Sequence, residues 1–346
     1  MTPTTVSLIV PCFNEEQVIT EMHRRLTALA DSQRDYGFEF LFVDDGSRDN
    51  TLPLLREIVA TDRRARVVAL SRNFGHQLAI TAGIDEARGA AVVLLDADLQ
   101  DPPEVVAQML EKWRDGWQVI YGMRVGREGE SRFKLLAAHL FYRVLNYLSD
   151  TPIPLDSGDF RLMDHTVVDV LRNMPERDRF VRGMVSWVGF RQMALPYRRA
   201  ARFAGTSKYP LRKMVRFASN GIISFSMRPL KLAMNAGALC AGVACIGIIW
   251  ALAARLATHN WVPGWTATII AVLFLGGIQL VCTGILGEYI GRTYMQSKGR
   301  PLYVVSERFG GAQVARQSTR PEDELPADCE QRSESTTSET ENVRDP

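Results

Sequence analysis

The chain has 346 residues, of which 46% are apolar and 23% charged, with 41 Lys+Arg against 39 Asp+Glu and a net charge of +2. At about 100 to 200 residues per domain this predicts one large or two modest domains with a substantial core. It excludes a wholly disordered or collagen-like chain.

The N-terminal stretch is short and meets Pro11 and charged residues almost at once, so no signal peptide is expected. From Val6 to Tyr121, β-rich runs alternate with helical patterns. Val6–Val10, Phe38–Val43, Arg66–Leu70, Ala91–Leu95 and Val119–Tyr121 read as strands. That alternation predicts an α/β fold, a mainly parallel sheet with helices on both faces, in which ligands sit beyond the carboxyl ends of the strands. An amphipathic helix is expected over Arg132–Leu148, and Met193–Tyr197 reads as a further strand.

The segment Arg198–Lys231 holds nine Lys/Arg and no acid. It suits a solvated basic face, the positive flank of a membrane segment, or contact with anionic lipid headgroups. Leu232–Ala254 carries no charge, and after Arg255 none appears until Glu288. Each run is long enough to cross a hydrocarbon core of about 30 Å as a helix. A transmembrane hairpin is therefore expected over 231–292, with helices near 232–254 and 265–287. It would follow a soluble α/β domain at 1–230 and precede an extension at 293–311. Arg228 and Lys231 before the hairpin, and Arg292, Lys298 and Arg300 after it, place both ends on the cytoplasmic side of a plasma or inner membrane. Residues 312–346 have a disordered composition. The five cysteines form no C-x-x-C pair, so neither a disulfide framework nor a zinc site is implied.

Candidate chemistry follows the strands. After the first comes Pro11-Cys12-Phe13-Asn14-Glu15-Glu16, and after the second Asp44-Asp45-Gly46-Ser47-Arg48-Asp49-Asn50-Thr51. Ser47, Asp49 and Thr51 suit helix capping as well as ligand contact. Two consecutive acids at a strand end call for a stronger reason, such as hydrogen bonds from a nucleoside. The fourth strand ends in Asp96-Ala97-Asp98-Leu99-Gln100-Asp101-Pro102-Pro103. In an extended segment Asp96, Asp98 and Gln100 point one way and offer hard oxygen ligands. Mg2+ or Mn2+ favours such ligands, completed by water and substrate phosphates. There is no G-x-G-x-x-G and no P-loop, so phosphate must be held otherwise, by such a metal and by arginines among Arg124, Arg127 and Arg132.

Those motifs, with Ser71-Arg72-Asn73-Phe74-Gly75-His76, resemble the family 2 glycosyltransferases of GT-A fold. Ser157-Gly158-Asp159-Phe160-Arg161-Leu162-Met163, Gly205-Thr206-Ser207-Lys208-Tyr209 and Gly287-Glu288-Tyr289-Ile290-Gly291-Arg292 resemble, more narrowly, the polyprenyl-phosphate glycosyltransferases. That group includes dolichol-phosphate mannose synthases and GtrB-type undecaprenyl-phosphate glucosyltransferases, and the likeness covers about residues 5–309. By position it implies Pro11, Asn14, Glu15, Asp44 and Asp45 around the nucleoside. It puts Asp96, Asp98 and Gln100 on Mg2+ or Mn2+, and Arg124 near the sugar-nucleotide phosphates. Arg132, Arg202 and Lys208 would meet the lipid phosphate. Asp159 would be a catalytic or positioning carboxylate, with a purely structural hydrogen-bonding role as the plain alternative.

The implied reaction is inverting transfer of a hexose, glucose from UDP-glucose in the first instance, to undecaprenyl or another polyprenyl phosphate. Mannose, N-acetylglucosamine or modified arabinose donors fit the same resemblance, and so does a homo-oligomer; no nucleic-acid partner is expected. A processive polysaccharide synthase fits poorly, because the Gln-x-x-Arg-Trp motif is absent and one hairpin is too little for a polymer channel. From another class, a non-catalytic membrane scaffold that binds nucleotide sugars remains as the rival.

Overall fold

The computed structural model describes residues 3–125, 157–199 other than 178, scattered positions between 230 and 253, and 264–311. The helix expected at Arg132–Leu148, the candidates Arg127, Arg132, Arg202 and Lys208, and the tail at 312–346 lie outside the described residues.

In chain order the elements are β1 (Thr4–Cys12), α1 (Ile19–Ser32), β2 (Tyr36–Asp44), α2 (Thr51–Thr61), β3 (Ala65–Leu70), α3 (His76–Glu86), β4 (Ala91–Leu94) and α4 (Val105–Arg114). There follow β5 (Val119–Arg124), β6 (Ser157–Asp164), α5 (His165–Asn173), α6 (Val181–Trp187), β7 (Gln192–Tyr197), α7 (Trp265–Ser297) and β8 (Val305–Gly310). One eight-stranded sheet runs in the order β7-β5-β6-β4-β1-β2-β3-β8. β1, β2, β3 and β4 are mutually parallel, and β5 is parallel to β7. β6 enters antiparallel between β4 and β5, and β8 is antiparallel to β3 at the edge.

Strand periodicity explains the layers. Val6, Leu8 and Val10 of β1 and Phe38, Phe40 and Phe42 of β2 turn to one face, packed by Met22 and Leu26 of α1, Leu55 of α2 and Met109 of α4. Ile9, Leu41 and Val43 turn to the other, where α3, α5 and α6 bring Ile80, Val168 and Met184. The buried residues of α1, at Ile19, Met22, Leu26 and Leu29, recur every three or four positions, which is why this segment is helical and docks by one stripe. Truncating Leu26 to Ala would cost about 2–5 kcal/mol.

Two expectations change here. β6 was visible in the sequence only as a polar motif, and its Gly158, Asp159 and Arg161 oppose strand propensity. Pairing on both edges, Leu94 with Arg161 and Ile120 with Leu162, overrides that preference. The chain beyond the apolar segments, set apart above as an extension, returns to the sheet as β8. There Ser306 Oγ donates to the Ala69 carbonyl at 3.0 Å, and Arg56 pairs with Glu307.

The second apolar run is helical for longer than the expected 265–287. α7 spans 33 residues, about 50 Å at 1.5 Å per residue. It continues because Arg292 Nε meets Glu288 Oε1 one turn back at 3.0 Å, and it stops where Gly299 takes a φ of 61°. Within it Phe274–Ser297 is long and apolar enough to cross a membrane, and none of that span is buried. The described positions between Leu230 and Ala253 are also helical. Cys282 Sγ donates to the Ala233 carbonyl at 3.5 Å, so the two apolar segments meet.

Candidate active site

The carboxyl ends of β1 and β2 carry two loops that fasten each other. Asn14 N–H donates to Ser47 Oγ at 3.0 Å and Arg48 N–H returns a bond to Asn14 Oδ1 at 2.9 Å. Glu15 N–H reaches Thr51 Oγ1 at 2.8 Å, and Glu16 N–H reaches Asp49 Oδ2 at 3.2 Å. Asn14 stands at a φ of 56°, which Asn tolerates better than most residues. Ser47, Asp49 and Thr51 therefore act on the backbone of these loops. Asn14, Glu15, Arg48 and Asp49 line an open cleft of about 440 Å³.

Asp44 and Asp45 are both buried but do different things. Asp45 accepts from the N–H groups of Phe74 and Gly75 at 2.7 and 2.9 Å, tying the second loop to the start of α3. Gly46 makes this approach possible: its φ is 69°, and a Cβ would lie 2.5 Å from the Arg72 backbone. Asp44 accepts from Ser47 N–H at 3.2 Å through Oδ2, while its buried Oδ1 has no hydrogen-bond partner. Burial raises the pKa of Asp44, against the opposing pull of Ser47.

Past β4 the backbone departs from the extended course expected of Asp96, Asp98 and Gln100. It turns at Ala97–Asp98, Leu99 adopts a φ of 58°, and Gln100 N–H folds back onto Asp98 Oδ1 at 3.1 Å. The alternation survives in burial: Ala97 and Leu99 are buried, whereas Asp96, Asp98 and Gln100 are half-buried. The reason is anchoring of the apolar pair in the sheet core. Burial first, then the like charges of Asp159, Asp101 and Asp98, push Asp96 up to about 6, with His76 pulling the other way. Two half-buried carboxylates, Asp96 and Asp98, offer hard oxygen ligands that fit a divalent cation taking its remaining ligands from water and substrate. Among the described residues no group of three or more His, Cys, Asp or Glu is placed to hold a metal by itself.

Asp159 lies where β6 bulges. Tyr121 pairs with Arg161 but Met123 pairs with Ser157, so Gly158, Asp159 and Phe160 together oppose Gly122. The bulge turns Asp159 onto the face of α3 and α6. Arg182 Nε and Nη2 reach its two oxygens at 2.8 and 3.2 Å, Gln77 Nε2 donates at 3.1 Å, and His76 Nε2 lies at 3.3 Å. Gln77 Oε1 in turn accepts from Val181 N–H at 2.9 Å, joining α3 to α6. Burial alone would raise the pKa of Asp159, but Arg182 and His76 outweigh it and hold the carboxyl far below the usual range. His76 Nε2 is also 3.5 Å from Asp96 Oδ1. Burial opposes its charge, yet Asp159 and Asp96 raise its pKa.

The family 2 glycosyl transferase profile matches residues 7–172, and the GtrB C-terminal hairpin profile matches residues 228–293. An uncharacterized glycosyltransferase of Bacillus subtilis (strain 168), YkcC, is 47% identical over 304 residues, covering 88% of this chain and 94% of that one. The chain belongs to the family 2 glycosyltransferases. The prophage bactoprenol glucosyl transferase homolog of Escherichia coli (strain K12) is 38% identical over 300 residues, covering 87% and 98% of the two chains. Among solved structures, the mannosyltransferase PcManGT from Pyrobaculum calidifontis in complex with GDP-Man and Mn2+ is 17% identical, over 84% of this chain and 88% of that one, with a TM-score of 0.41.

In this glycosyltransferase the sheet's carboxyl ends gather Asn14, Glu15, Asp44, Asp45, Asp96, Asp98, Gln100 and Asp159, with Pro11 inside β1 next to the first loop. Arg124 ends β5 and lies over Gly158, where a Cβ would sit 2.7 Å from its Nη2; it is not in the Asp159 cluster but on the opposite face of β6. Sequence reasoning missed Gln77 and Arg182. Gln77 follows the quoted His76 directly. Arg182 sits on a seven-residue helix whose sequence carries no motif, and only its distance to Asp159 reveals it.

Proposed function

We propose that this transferase moves glucose from UDP-glucose to undecaprenyl phosphate, with inversion at the anomeric carbon. The relatives named as bactoprenol glucosyl transferases support the acceptor and the sugar. One observation of the site carries the reading: Asp159 has both oxygens bound by Arg182, Gln77 and His76 and is held ionised, which makes it a poor general base. A hydroxyl acceptor would need such a base. A phosphate monoester, with a second pKa of about 6, is already an anion at pH 7.

An oxygen of the lipid phosphate attacks the anomeric carbon from the face opposite the diphosphate. The new C–O bond forms as the bond to the diphosphate breaks, and UDP departs with the electron pair. Asp96 and Asp98, with Gln100 beside them, would hold Mg2+ or Mn2+, which when bound stabilises charge on the departing diphosphate. Arg124 adds a cation for the same phosphates. Pro11, Asn14, Glu15, Asp44 and Asp45 would bound the nucleoside side. Asp159 fixes Arg182 and His76 rather than moving a proton, so positioning dominates its role. Arg132, Arg202 and Lys208 would receive the lipid phosphate at the membrane surface. The catalytic domain and both termini would lie on the cytoplasmic side, where the donor is dissolved and the positive flanks point.

The test is transfer of label from a panel of nucleotide sugars into organic-extractable lipid, with the purified full chain, undecaprenyl phosphate and Mg2+ or Mn2+. Transfer from UDP-glucose that is lost with chelator or in Asp98→Ala is the expected outcome. Transfer from another sugar alone would replace glucose in this reading. Binding of nucleotide sugars with no transfer to any lipid phosphate would favour the scaffold.

A further inference from the structure

On the face of β6 opposite Asp159 lies a second charged group. Asp101 is fully buried. Its Oδ1 accepts from the Tyr197 hydroxyl and lies 3.7 Å from Arg199 Nε. Its Oδ2 makes no hydrogen bond and lies 3.6 Å from Arg124 Nη2. The Tyr197 hydroxyl oxygen accepts from Arg124 Nε at 3.3 Å, so one phenol links the carboxylate to the guanidinium. The sheet fixes this arrangement. β5 and β7 run parallel with Arg124 opposite Tyr197, and Phe160 meets the Tyr197 ring edge-on at a centroid distance of 5.5 Å.

A buried carboxylate with one oxygen left without a hydrogen bond is expensive to maintain, and a fold that needed Asp101 only for stability would close a bidentate arginine pair on it. Instead two guanidiniums stand just beyond hydrogen-bond reach, their side chains 28% and 33% exposed. Each keeps donors for another anion, and the planar fork of arginine matches phosphate. Gly158 leaves the room that Arg124 occupies, and Asp159 is the next residue.

We propose that Asp101 and Tyr197 are positioning residues that hold Arg124 and Arg199 as a two-guanidinium clamp for a substrate phosphate. The proposal rests on the transferase reading above and extends it to three residues with no assigned part. The phosphate belongs either to the donor's diphosphate or to the lipid acceptor. The clamp chemistry is the same for both.

Calorimetric binding of UDP, uridine and farnesyl monophosphate to the full chain in detergent tests it, with thermal unfolding recorded alongside. Tyr197→Phe removes one oxygen and should weaken one of the two phosphate ligands about tenfold. Uridine binding should stay as it is, the melting temperature should fall because Asp101 loses the hydroxyl that serves it, and Arg199→Gln should weaken the same ligand without that fall. Loss confined to UDP assigns the clamp to the donor, and loss confined to farnesyl monophosphate assigns it to the acceptor. Unchanged binding of both in both variants overturns the clamp while leaving the transferase reading intact. So does equal weakening of UDP and uridine, the mark of a merely structural hydroxyl. A wild-type chain that binds neither UDP nor farnesyl monophosphate overturns clamp and transferase together.

Discussion

The two ends of the sheet handle buried charge in opposite ways. At the amino ends of the strands, Glu39 accepts from Ser7 Oγ at 2.5 Å and pairs with Arg66, which also meets Glu86 at 3.4 Å. Ser7 Oγ closes the group by accepting from Gly89 N–H at 2.8 Å. At the carboxyl ends, Asp44 and Asp101 each keep a buried oxygen without a hydrogen bond, and Asp96 is crowded by other carboxylates. Charges at the first end satisfy one another and serve the fold. At the second, Asp45 and Asp159 are fully partnered but Asp44 and Asp101 are not, and this is the end where an α/β sheet places its ligands.

The largest effect expected from this contrast is at the incomplete end. Asp98→Ala should reduce transfer on the order of 10³-fold, since it removes a group aimed at charge that develops on the leaving diphosphate. The melting temperature should hold, because Asp98 is half-buried and outside the core. A variant that melts early and transfers normally would reverse the assignment of the two ends. At the satisfied end the opposite split is expected. Arg66→Ala leaves Glu39 buried without its cation and should cost about 3–5 kcal/mol of stability. Transfer per folded molecule, measured below the melting transition, should be unchanged.

How much of this contrast could be read from the sequence depends on where the partners lie. Asp44, Asp45, Asp96 and Asp98 were legible because each follows a strand whose apolar run is plain in the sequence. The two loops after β1 and β2 were legible as polar turns, though not that Ser47, Asp49 and Thr51 fasten one to the other. Arg182 and Tyr197 were not legible as site residues. Their partners Asp159 and Asp101 are 23 and 96 residues away, and no local spacing encodes such pairs. β6 and β8 escaped for a related reason: Asp159, Arg161, Glu307 and Arg308 contradict strand composition, and it is neighbouring strands that hold them extended.

A smaller change sharpens the comparison within the incomplete end. Gly158→Ala would place a Cβ 2.7 Å from Arg124 Nη2, the far end of a flexible side chain, so the fold should tolerate it while the guanidinium moves. The donor's KM should rise about tenfold with little change in kcat if Arg124 binds the ground-state diphosphate. A fall in kcat at constant KM would instead place its action in the transition state alone.

The smallest effect is one of pH, and it has opposite signs at the two ends. Asp62, which caps the carboxyl end of α2, is drawn down to about 2: burial works against it, but Arg64 and His23 prevail. A lowered carboxyl contributes stability that is complete above its unfolded value of about 4 and is lost as the pH falls towards 2. Asp96 is raised to about 6, so in the metal-free protein the folded state binds the extra proton between about pH 4 and 6, and its contribution falls as the pH rises through that window. A divalent cation must displace that proton. Mn2+ affinity, followed by calorimetry, should therefore weaken about twofold from pH 7.5 to 6 and about tenfold for each unit below. Asp96→Asn should abolish that slope and leave the acid unfolding governed by Asp62 in place. A slope that persists in the variant would move the titrating group away from Asp96 and weaken the case that the carboxyl end of β4 is where the cation sits.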